Sequence, residues 1–251
     1  MFGYHAYNKN IRNIVVLFGT IFNDISVRRL KSDGTTEREF KIPIAYGPAE
    51  KFLSKINQQG VPDTMTLPRM SFEITDYAYD PARKLQTTKK LKKVKTGSTT
   101  DLNTIYNPVP YDFNITLSVM VKYSDDGTQI LEQILPYFTP EFQVTMNEMA
   151  TMGIKRDIPI ILTSVSTEDT YEGEFLTRRA LIHTLSFTVK GHIYGRTVDQ
   201  GVIREVDANL GANMNDQKDV NIDIKPLPTS ADADDAFGFT ETITDLWNKI
   251  P

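Results

Sequence analysis

The sequence predicts an α+β fold, in which a few helices flank a largely antiparallel β-sheet. Several segments alternate apolar and polar residues with a period of two, which is typical of half-buried strands. Fewer segments place apolar residues three and four positions apart, which is typical of amphipathic helices. Strands and helices do not alternate regularly along the 251 residues, so a parallel α/β sheet is not expected.

The N-terminal part of the chain predicts a helix, a hairpin and a second helix. Residues 8–23 have helical spacing of apolar side chains, behind asparagines that suit an N-cap. Ile25–Leu30 and Phe40–Tyr46 alternate as strands, and the SDGT segment between them favours a tight turn. A second helix is predicted over residues 47–57, where Pro48 suits the first helical position. Its buried stripe is expected to consist of Phe52, Leu53 and Ile56.

The middle of the chain predicts strands with one more helix. Residues 70–79 and 111–123 show period-two patterns, whereas residues 81–110 show little apolar periodicity and predict a loop. A helix is expected over Thr128–Phe138, ended by Pro140. Further strands are predicted at Phe142–Asn147, Ile158–Ser166, Leu181–Tyr194 and Val202–Asp207.

Composition divides the chain into a core domain at residues 1–209 and an extended acidic C-terminal arm at residues 210–251. The arm is predicted to end in a short helix over Thr240–Ile250, where apolar residues recur at helical spacing. The single apolar face of this helix consists of Ile243, Leu246, Trp247 and Ile250. The helix is expected either to clasp a neighbouring subunit or to fold back on its own core.

The charge of the chain is unevenly distributed. The net charge of −4 argues against a general nucleic-acid-binding protein. Residues 205–251 contain ten acidic and three basic residues, a net charge of −7, so the other residues carry +3. A positive body with a negative C-terminal region favours contact with charged partners or with another copy of the chain.

No catalytic or metal-binding constellation is recognisable. The chain has no cysteine, which excludes disulfides, thiol catalysis and Cys-ligated zinc and fits a reducing cytoplasm. The three histidines are not at metal-ligand spacing, and His183 shares a strand face with apolar residues, which predicts a structural role. Residues 232–238 are acidic but lack the glycine and glutamate positions of a calcium loop. They are interpreted as a solvated linker or as an acidic strip for a basic partner. We therefore predict no enzyme activity, no catalytic or metal-binding residue and no cofactor.

The most basic segment lies inside the predicted loop at residues 81–110. Between Pro81 and Thr100 it carries seven bases and no acid. The candidate contact residues are its lysines, Lys84, Lys89, Lys90, Lys92, Lys93 and Lys95. The run has no aromatic residue for base stacking, so with nucleic acid it predicts only attraction to phosphates. A solvated loop, a contact with an acidic protein surface and a contact with phosphates all remain open.

Three segments near the N-terminus resemble a known family. The chain opens with MFGY, continues with IPIAYGPAEKFLSKIN at residues 42–57, and then carries LPRMSFEITDYAYDP at residues 67–81. In this order the segments resemble the tail sheath stabilisers, or tail-completion (neck) proteins, of T-even-like contractile-tailed bacteriophages. The matching positions include Pro43, Ile44, Tyr46, Phe52, Ile56, Leu67, Pro68 and Arg69.

The resemblance implies a virion structural protein without enzymatic activity. Members of the family form a hexameric ring at the head-proximal end of the tail, where it caps the tail tube terminator and the last ring of the tail sheath protein. The ring offers a docking surface to the neck proteins, and DNA passes through its centre with at most non-specific contact. The expected location is the virion tail and neck, after assembly in the host cytoplasm.

An alternative function remains open beside the resemblance. The basic residues at 83–95 would suit a nucleic-acid-binding module, whose binding would fall steeply with salt. Membrane association is not expected, because the N-terminal segment is too polar for a signal peptide and no segment approaches about 20 apolar residues.

Overall fold

The computed structural model describes residues 5–31, 33–57, 66–95, 98, 100–170, 180–211, 220–231 and 238–245. The chain forms two compact units. The first, called the large unit, consists of Tyr7–Leu85 and Pro108–Tyr194. The second, called the small unit, consists of Met1–Ala6, Gln86–Asn107 and Gly195–Pro251. The unit boundaries therefore differ from the predicted boundary between residues 209 and 210, because residues 86–107 group with the C-terminal part of the chain.

Strands dominate the secondary structure of the described residues. Their α-helices are α1 (Asn10–Ile21), α2 (Ala49–Asn57) and α3 (Ser124–Ile134). Their strands are β1 (Ser26–Leu30), β2 (Thr36–Lys41), β3 (Ile44–Tyr46), β4 (Arg69–Tyr79), β5 (Lys90–Val94), β6 (Asp101–Tyr106), β7 (Val109–Val121), β8 (Glu141–Met149), β9 (Ile154–Thr170), β10 (Ala180–Ile193), β11 (Val198–Gly201), β12 (Val206–Leu210), β13 (Val220–Leu227) and β14 (Gly238–Asp245).

A six-stranded sheet forms the centre of the large unit. Its strand order is β3–β4–β7–β10–β9–β8, and only the β3–β4 pair is parallel. The α+β prediction is confirmed, since a largely antiparallel sheet carries a few helices. The strands predicted at 70–79, 111–123, 142–147, 158–166 and 181–194 correspond to β4, β7, β8, β9 and β10.

Helix α1 packs its apolar stripe against one face of this sheet. Ile14 and Phe18 are fully buried, and the buried Phe22 follows directly after the helix end. The Phe18 ring centre lies 5.2 Å from that of Phe72 on β4 and 5.3 Å from that of Phe187 on β10. The predicted helix is confirmed, because its three- and four-residue spacing presents one side of the helix to the sheet.

Side chains at the start of α1 make tertiary contacts instead of the predicted asparagine cap. Lys9 occupies the N-cap position with φ 58°, and its side chain makes no capping hydrogen bond. Asn8 donates to the Tyr194 carbonyl at 3.1 Å, and Asn10 donates to the His192 carbonyl at 3.3 Å. These bonds connect the helix start to the end of β10, which a local capping rule does not anticipate.

Helix α2 covers part of the opposite face of the sheet. Phe52 packs with Met120 of β7 and Ile182 of β10, and Leu53 lies against this group. The predicted packing of Phe52 and Leu53 is therefore confirmed, while the side chain of Ile56 lies outside the described residues.

The predicted hairpin is found as β1 and β2, but its second strand is Thr36–Lys41 rather than the predicted Phe40–Tyr46, because Ile44–Tyr46 forms β3 and pairs with β4 instead. Helix α3 lies along the edge of β1. The Gln133 side chain accepts from the Ser26 N–H at 3.4 Å and donates to the Ser26 carbonyl at 2.8 Å. Gln129 makes the same pair of bonds with Arg28, at 3.1 and 3.0 Å. Two glutamines one helical turn apart thus satisfy backbone groups on the strand edge.

Helix α3 begins at Ser124, four residues before the predicted start. The acidic residues of its first turn favour a helix N-terminus, which the sequence pattern had assigned to a turn. Asp126 is buried and accepts two hydrogen bonds from Arg29, at 2.6 and 3.4 Å, which raise the pKa of Arg29. The Arg29 guanidinium also lies 5.2 Å from the Phe40 ring centre and 5.0 Å from that of Tyr123.

Two three-stranded antiparallel sheets form the described part of the small unit. Their strand orders are β11–β6–β5 and β12–β13–β14. Strands β5 and β6 lie within residues 81–110, so the loop prediction was wrong there. The reason is that β5 is mostly lysine and that the buried residues of β6 do not alternate strictly, which hides the period-two signal.

The predicted extended arm with a terminal helix is also corrected. Residues 240–245 belong to β14, which pairs with β13, so the helix prediction was wrong over this part; residues 246–251 lie outside the described residues. Thr and Ile are β-branched and suit a strand, and pairing with β13 decides between the two periods. The strand predicted at Val202–Asp207 is shifted, because only its last two residues belong to β12 and residues 202–205 lie outside any strand. The predicted boundary after residue 209 falls inside β12.

Candidate functional site

The lysine run forms an edge strand of the first small-unit sheet. Strand β5 pairs with β6 only, among the residues that the structure describes. We call Lys89–Lys95 the basic strand; all five of its lysines are exposed. Lysines keep a strand edge from pairing with another chain, so part of this charge has a structural explanation.

Two lysines of the basic strand have partners in the small unit. Lys95 Nζ lies 2.6 Å from Asp199 Oδ2 on β11, and this hydrogen bond raises the pKa of Lys95. Lys90 Nζ lies 5.0 Å from the centre of the Tyr106 ring. Within the described ranges, no ion pair involves the other exposed lysines of the strand, Lys89, Lys92 and Lys93. These three are the cations best placed to meet an acidic group from outside.

Lys84 belongs to the large unit, whereas the basic strand belongs to the small unit. It lies in a turn after β4 that is fixed by Arg83, whose guanidinium contacts Asp80 at 2.6 Å and Asp112 at 2.7 Å. The hydrogen bond from Arg83 lowers the pKa of Asp80 to about 2. Arg83, which is the one base of the run that is not a lysine, therefore makes its contacts inside the large unit.

Of the predicted C-terminal contact residues, the structure describes Ile243. It is exposed on β14 and is paired with Ile222 of β13; Leu246, Trp247 and Ile250 lie outside the described residues. Strand pairing brings a set of mostly apolar residues together on one side of this sheet, and we call this side the apolar face. It consists of Val206, Ala208, Leu210, Val220, Ile222, Ile224, Pro226, Phe239, Glu241 and Ile243, and the register places Asp245 at its end, opposite Val220.

Sequence reasoning missed most of the apolar face. The signal was present as alternation in VDANL at 206–210 and VNIDI at 220–224, where every second residue is apolar. Because Asp and Asn residues lie between the apolar ones, the region was predicted to be a polar arm. In the structure they form the other side of the sheet, where the Asn221 amide donates to Asp207 and Asn209.

The titratable groups buried in the large unit are held by internal partners. The Glu148 carboxylate accepts from the Tyr194 hydroxyl at 2.6 Å and lies 3.2 Å from His192 Nδ1 and 3.6 Å from Arg156 Nε. Burial and the bond to Glu148 raise the pKa of Tyr194. The predicted structural role of His183 agrees with its environment, since it is buried, its Nδ1 lies 2.9 Å from a threonine hydroxyl, and burial lowers its pKa.

The large unit has a mostly apolar cavity, and metal-ligand clusters are absent from the described part of the chain. A cavity of about 540 Å³ is lined mainly by aliphatic and aromatic side chains such as Phe22, Phe138 and Phe142. The described residues hold no group of His, Cys, Asp and Glu side chains suited to a metal ion. None of their helices is long and apolar enough to cross a membrane. The candidate functional sites are therefore two surfaces, the basic strand and the apolar face.

Comparison with known proteins places this surface in context. A sequence model of the family described as "T4-like virus Myoviridae tail sheath stabiliser" matches residues 5–249. The chain belongs to this tail sheath stabiliser family. It is also 33% identical over 266 aligned positions to the tail completion protein gp15 of Enterobacteria phage T4, covering 99% of this chain and 96% of that protein.

Family membership makes the chain a structural component of the phage tail in the virion. The family description names the tail sheath as the assembly that its members stabilise. A structural role in the tail suggests contacts with other tail proteins, for which the basic strand and the apolar face are the candidate surfaces.

Proposed function

We propose that the protein forms a six-membered ring at the head-proximal end of a contractile tail. The ring caps the tail tube terminator and the last sheath ring, and it offers a docking surface to the neck proteins of the head. The match to the tail sheath stabiliser family over residues 5–249 carries the proposal, with support from full-length similarity to a tail completion protein. The role requires no catalysis, and DNA passing through the ring meets at most non-specific contacts.

Two groups of side chains are proposed to make the contacts of this ring. The lysines of the run meet an acidic protein surface, while the apolar C-terminal residues meet a neighbouring subunit. The proposed contact residues are Lys84, Lys89, Lys90, Lys92, Lys93 and Lys95 in the first group, and Ile243, Leu246, Trp247 and Ile250 in the second.

The proposal is tested by binding the full-length protein to purified sheathed tails that lack it. Negative-stain images should show six-fold rings at one end of the tails. Reversing Lys92 and Lys93 to Glu should weaken tail binding several-fold, because opposed like charges replace attraction. The matched control reverses Lys31 and Lys51, two exposed lysines of the large unit, and should bind as the unchanged protein does. A protein that binds neither sheath nor tube would contradict the proposed role.

A second candidate function, nucleic-acid binding, is favoured by one observation. Tyr106 is exposed and its ring lies beside Lys90, so the structure supplies an aromatic platform that the run itself lacks. If the basic strand binds phosphates, affinity should fall steeply with salt. Changing Lys92 and Lys93 to Gln should then reduce the logarithmic salt slope on single-stranded DNA by about 1.4, or about 0.7 for each lost phosphate contact. Filter binding to single-stranded DNA across a salt series measures this slope, and an unchanged slope excludes the basic strand as the binding site.

A further inference from the structure

The second small-unit sheet has one side that is mostly apolar and largely exposed, apart from Pro226, which is buried. Phe239 is 70% exposed and Ile243 is 63% exposed, and both lie on the apolar face with the exposed Val206 and Leu210. The other side of the same sheet is polar and its groups bond to one another, as Asn221 does with its neighbours. A sheet with one polar and one apolar side normally buries the apolar side. A contiguous exposed apolar surface of this kind marks an interaction site.

The first small-unit sheet presents a surface of complementary character. Strand pairing places Lys90 beside Tyr106, and Lys92 beside Thr104 and Val198, all on one side of the sheet. Tyr106 is 52% exposed and Val198 is 47% exposed. We call these five residues the basic face. It combines an exposed aromatic side chain, an exposed aliphatic side chain and two exposed lysines around Thr104, which is buried, and it contains no acid.

We propose that the apolar face of one copy docks on the basic face of a second copy of the chain. The apolar face carries the exposed residue Glu241 on its edge strand β14, between Phe239 and Ile243, so this edge of the sheet is negatively charged. The basic face edges its apolar area with positive charge, which gives apolar contact at the centre and opposite charges at the rim. The proposal rests on the proposed ring, since it names the surfaces through which ring neighbours meet.

Contact between the unlike faces of two copies explains both surfaces better than contact within one chain or contact between two apolar faces. In a single chain the outer residues of both faces are exposed, such as Tyr106 and Val198 on one and Phe239 and Ile243 on the other, so these residues do not cover one another. Packing two apolar faces together would bring two C-terminal regions of net charge −7 against each other, which is unfavourable. Contact between two unlike surfaces of the same chain is heterologous, and such a contact closes into a ring when the rotation between neighbours permits it.

Self-association of the full-length protein tests the proposal directly. Sedimentation velocity over a concentration series is expected to show assembly that weakens as salt increases. Changing Phe239 and Ile243 together to Asp should weaken it at least about tenfold, as loss of central apolar contacts does in other interfaces. The matched control changes Thr240 and Thr242 to Asp, which adds the same charge to the opposite side of the same strand and should assemble almost normally. Equal loss in both variants would overturn the proposal.

Cross-linking identifies which surfaces meet. Because the chain has no cysteine, Tyr106→Cys and Ile243→Cys variants each carry a single thiol. A short bismaleimide should link the two variants when they are mixed, and should link neither variant to itself. Self-linking of Ile243→Cys alone, or assembly with no link in the mixture, would overturn the proposed pairing. Both variants replace an exposed residue rather than a core residue, so their circular dichroism spectra should match that of the unchanged protein.

The proposed tail role and this contact can fail separately. If the protein stays monomeric at all concentrations and on tails, the contact between copies is wrong, while tail binding still tests the role. If the Phe239 and Ile243 variant assembles normally but no longer binds tails, the apolar face takes a tail protein instead of a second copy. That result would overturn this inference and leave the proposed function standing.

Discussion

Replacing Gly127 with alanine should destabilise the large unit, although alanine is the better helix former. Gly127 lies in the first half of α3, and a Cβ there would overlap His183 Nε2 and lie 3.2 Å from Val121 Cγ2. The imidazole has little room to move, because His183 is buried on the central strand β10 and its Nδ1 is 2.9 Å from Thr167 Oγ1. The glycine therefore exists to let the helix approach the histidine.

The expected size of the effect follows from two opposing contributions. Alanine in place of glycine inside a helix stabilises by about 1 kcal/mol. Overfilling a packed core costs about 1–3 kcal/mol, and the upper end applies because the new methyl group meets a ring that the core holds in place. The net loss is about 2 kcal/mol, which lowers the melting temperature of a unit of this size by about 4–8 °C.

Thermal and urea unfolding followed by far-ultraviolet circular dichroism measures this loss. In a His183→Ala background the main obstacle is gone and only the 3.2 Å contact with Val121 Cγ2 remains, so Gly127→Ala should become neutral or stabilising, by at most about 1 kcal/mol. Gly19→Ala in α1 is the matched control, since its Cβ would meet only the edge of the Phe72 ring at 3.2 and 3.4 Å and should cost less. A Gly127→Ala variant that is more stable than the unchanged protein would refute the reasoning.

Two further predictions concern charged groups. Asp126→Asn should lower the free energy of unfolding by about 2 kcal/mol, which is less than for a fully buried pair because the Arg29 side chain is 37% exposed. The same change at Asp24, whose pair with Lys41 is exposed, should lower it by less than about 1 kcal/mol. Urea unfolding midpoints measure both losses. Because the pKa of Asp80 is held at about 2, below that of an unfolded aspartate, its bonds stabilise the fold above about pH 4. That contribution is lost as pH falls from about 4 to about 2, so unfolding curves over this window should change less for Asp80→Asn than for the unchanged protein.

The large unit could be predicted well from the sequence because its signals are local and long. Helix α1 has its apolar residues on one side, and β7 alternates over thirteen residues, so each pattern identifies one element. The contacts between elements were not predictable. No local rule places Asn10 against the end of β10 or two glutamines along the edge of β1, since these bonds join residues far apart in the sequence.

The small unit was predicted poorly because its strands depend on partners distant in sequence. Lys90–Val94 has charge where a strand pattern would have apolar residues, and only its pairing with β6 makes it a strand. In residues 240–245 the β-branched pattern and the helical spacing overlapped, and β13 decided the outcome. The candidate lysines were identified from charge alone, whereas the apolar face required the register of three strands before its residues came together.

The exposed apolar face links assembly to stability in the small unit. A three-stranded sheet with one uncovered apolar side gains little from burial when the chain is alone, so its own folding free energy is small. Under the proposed docking, a neighbour covers this side and binds only the folded sheet, which stabilises it in proportion to the logarithm of subunit concentration. The second small-unit sheet would then reach its full stability only when the ring is assembled. This coupling would favour complete rings over free subunits at the end of a tail.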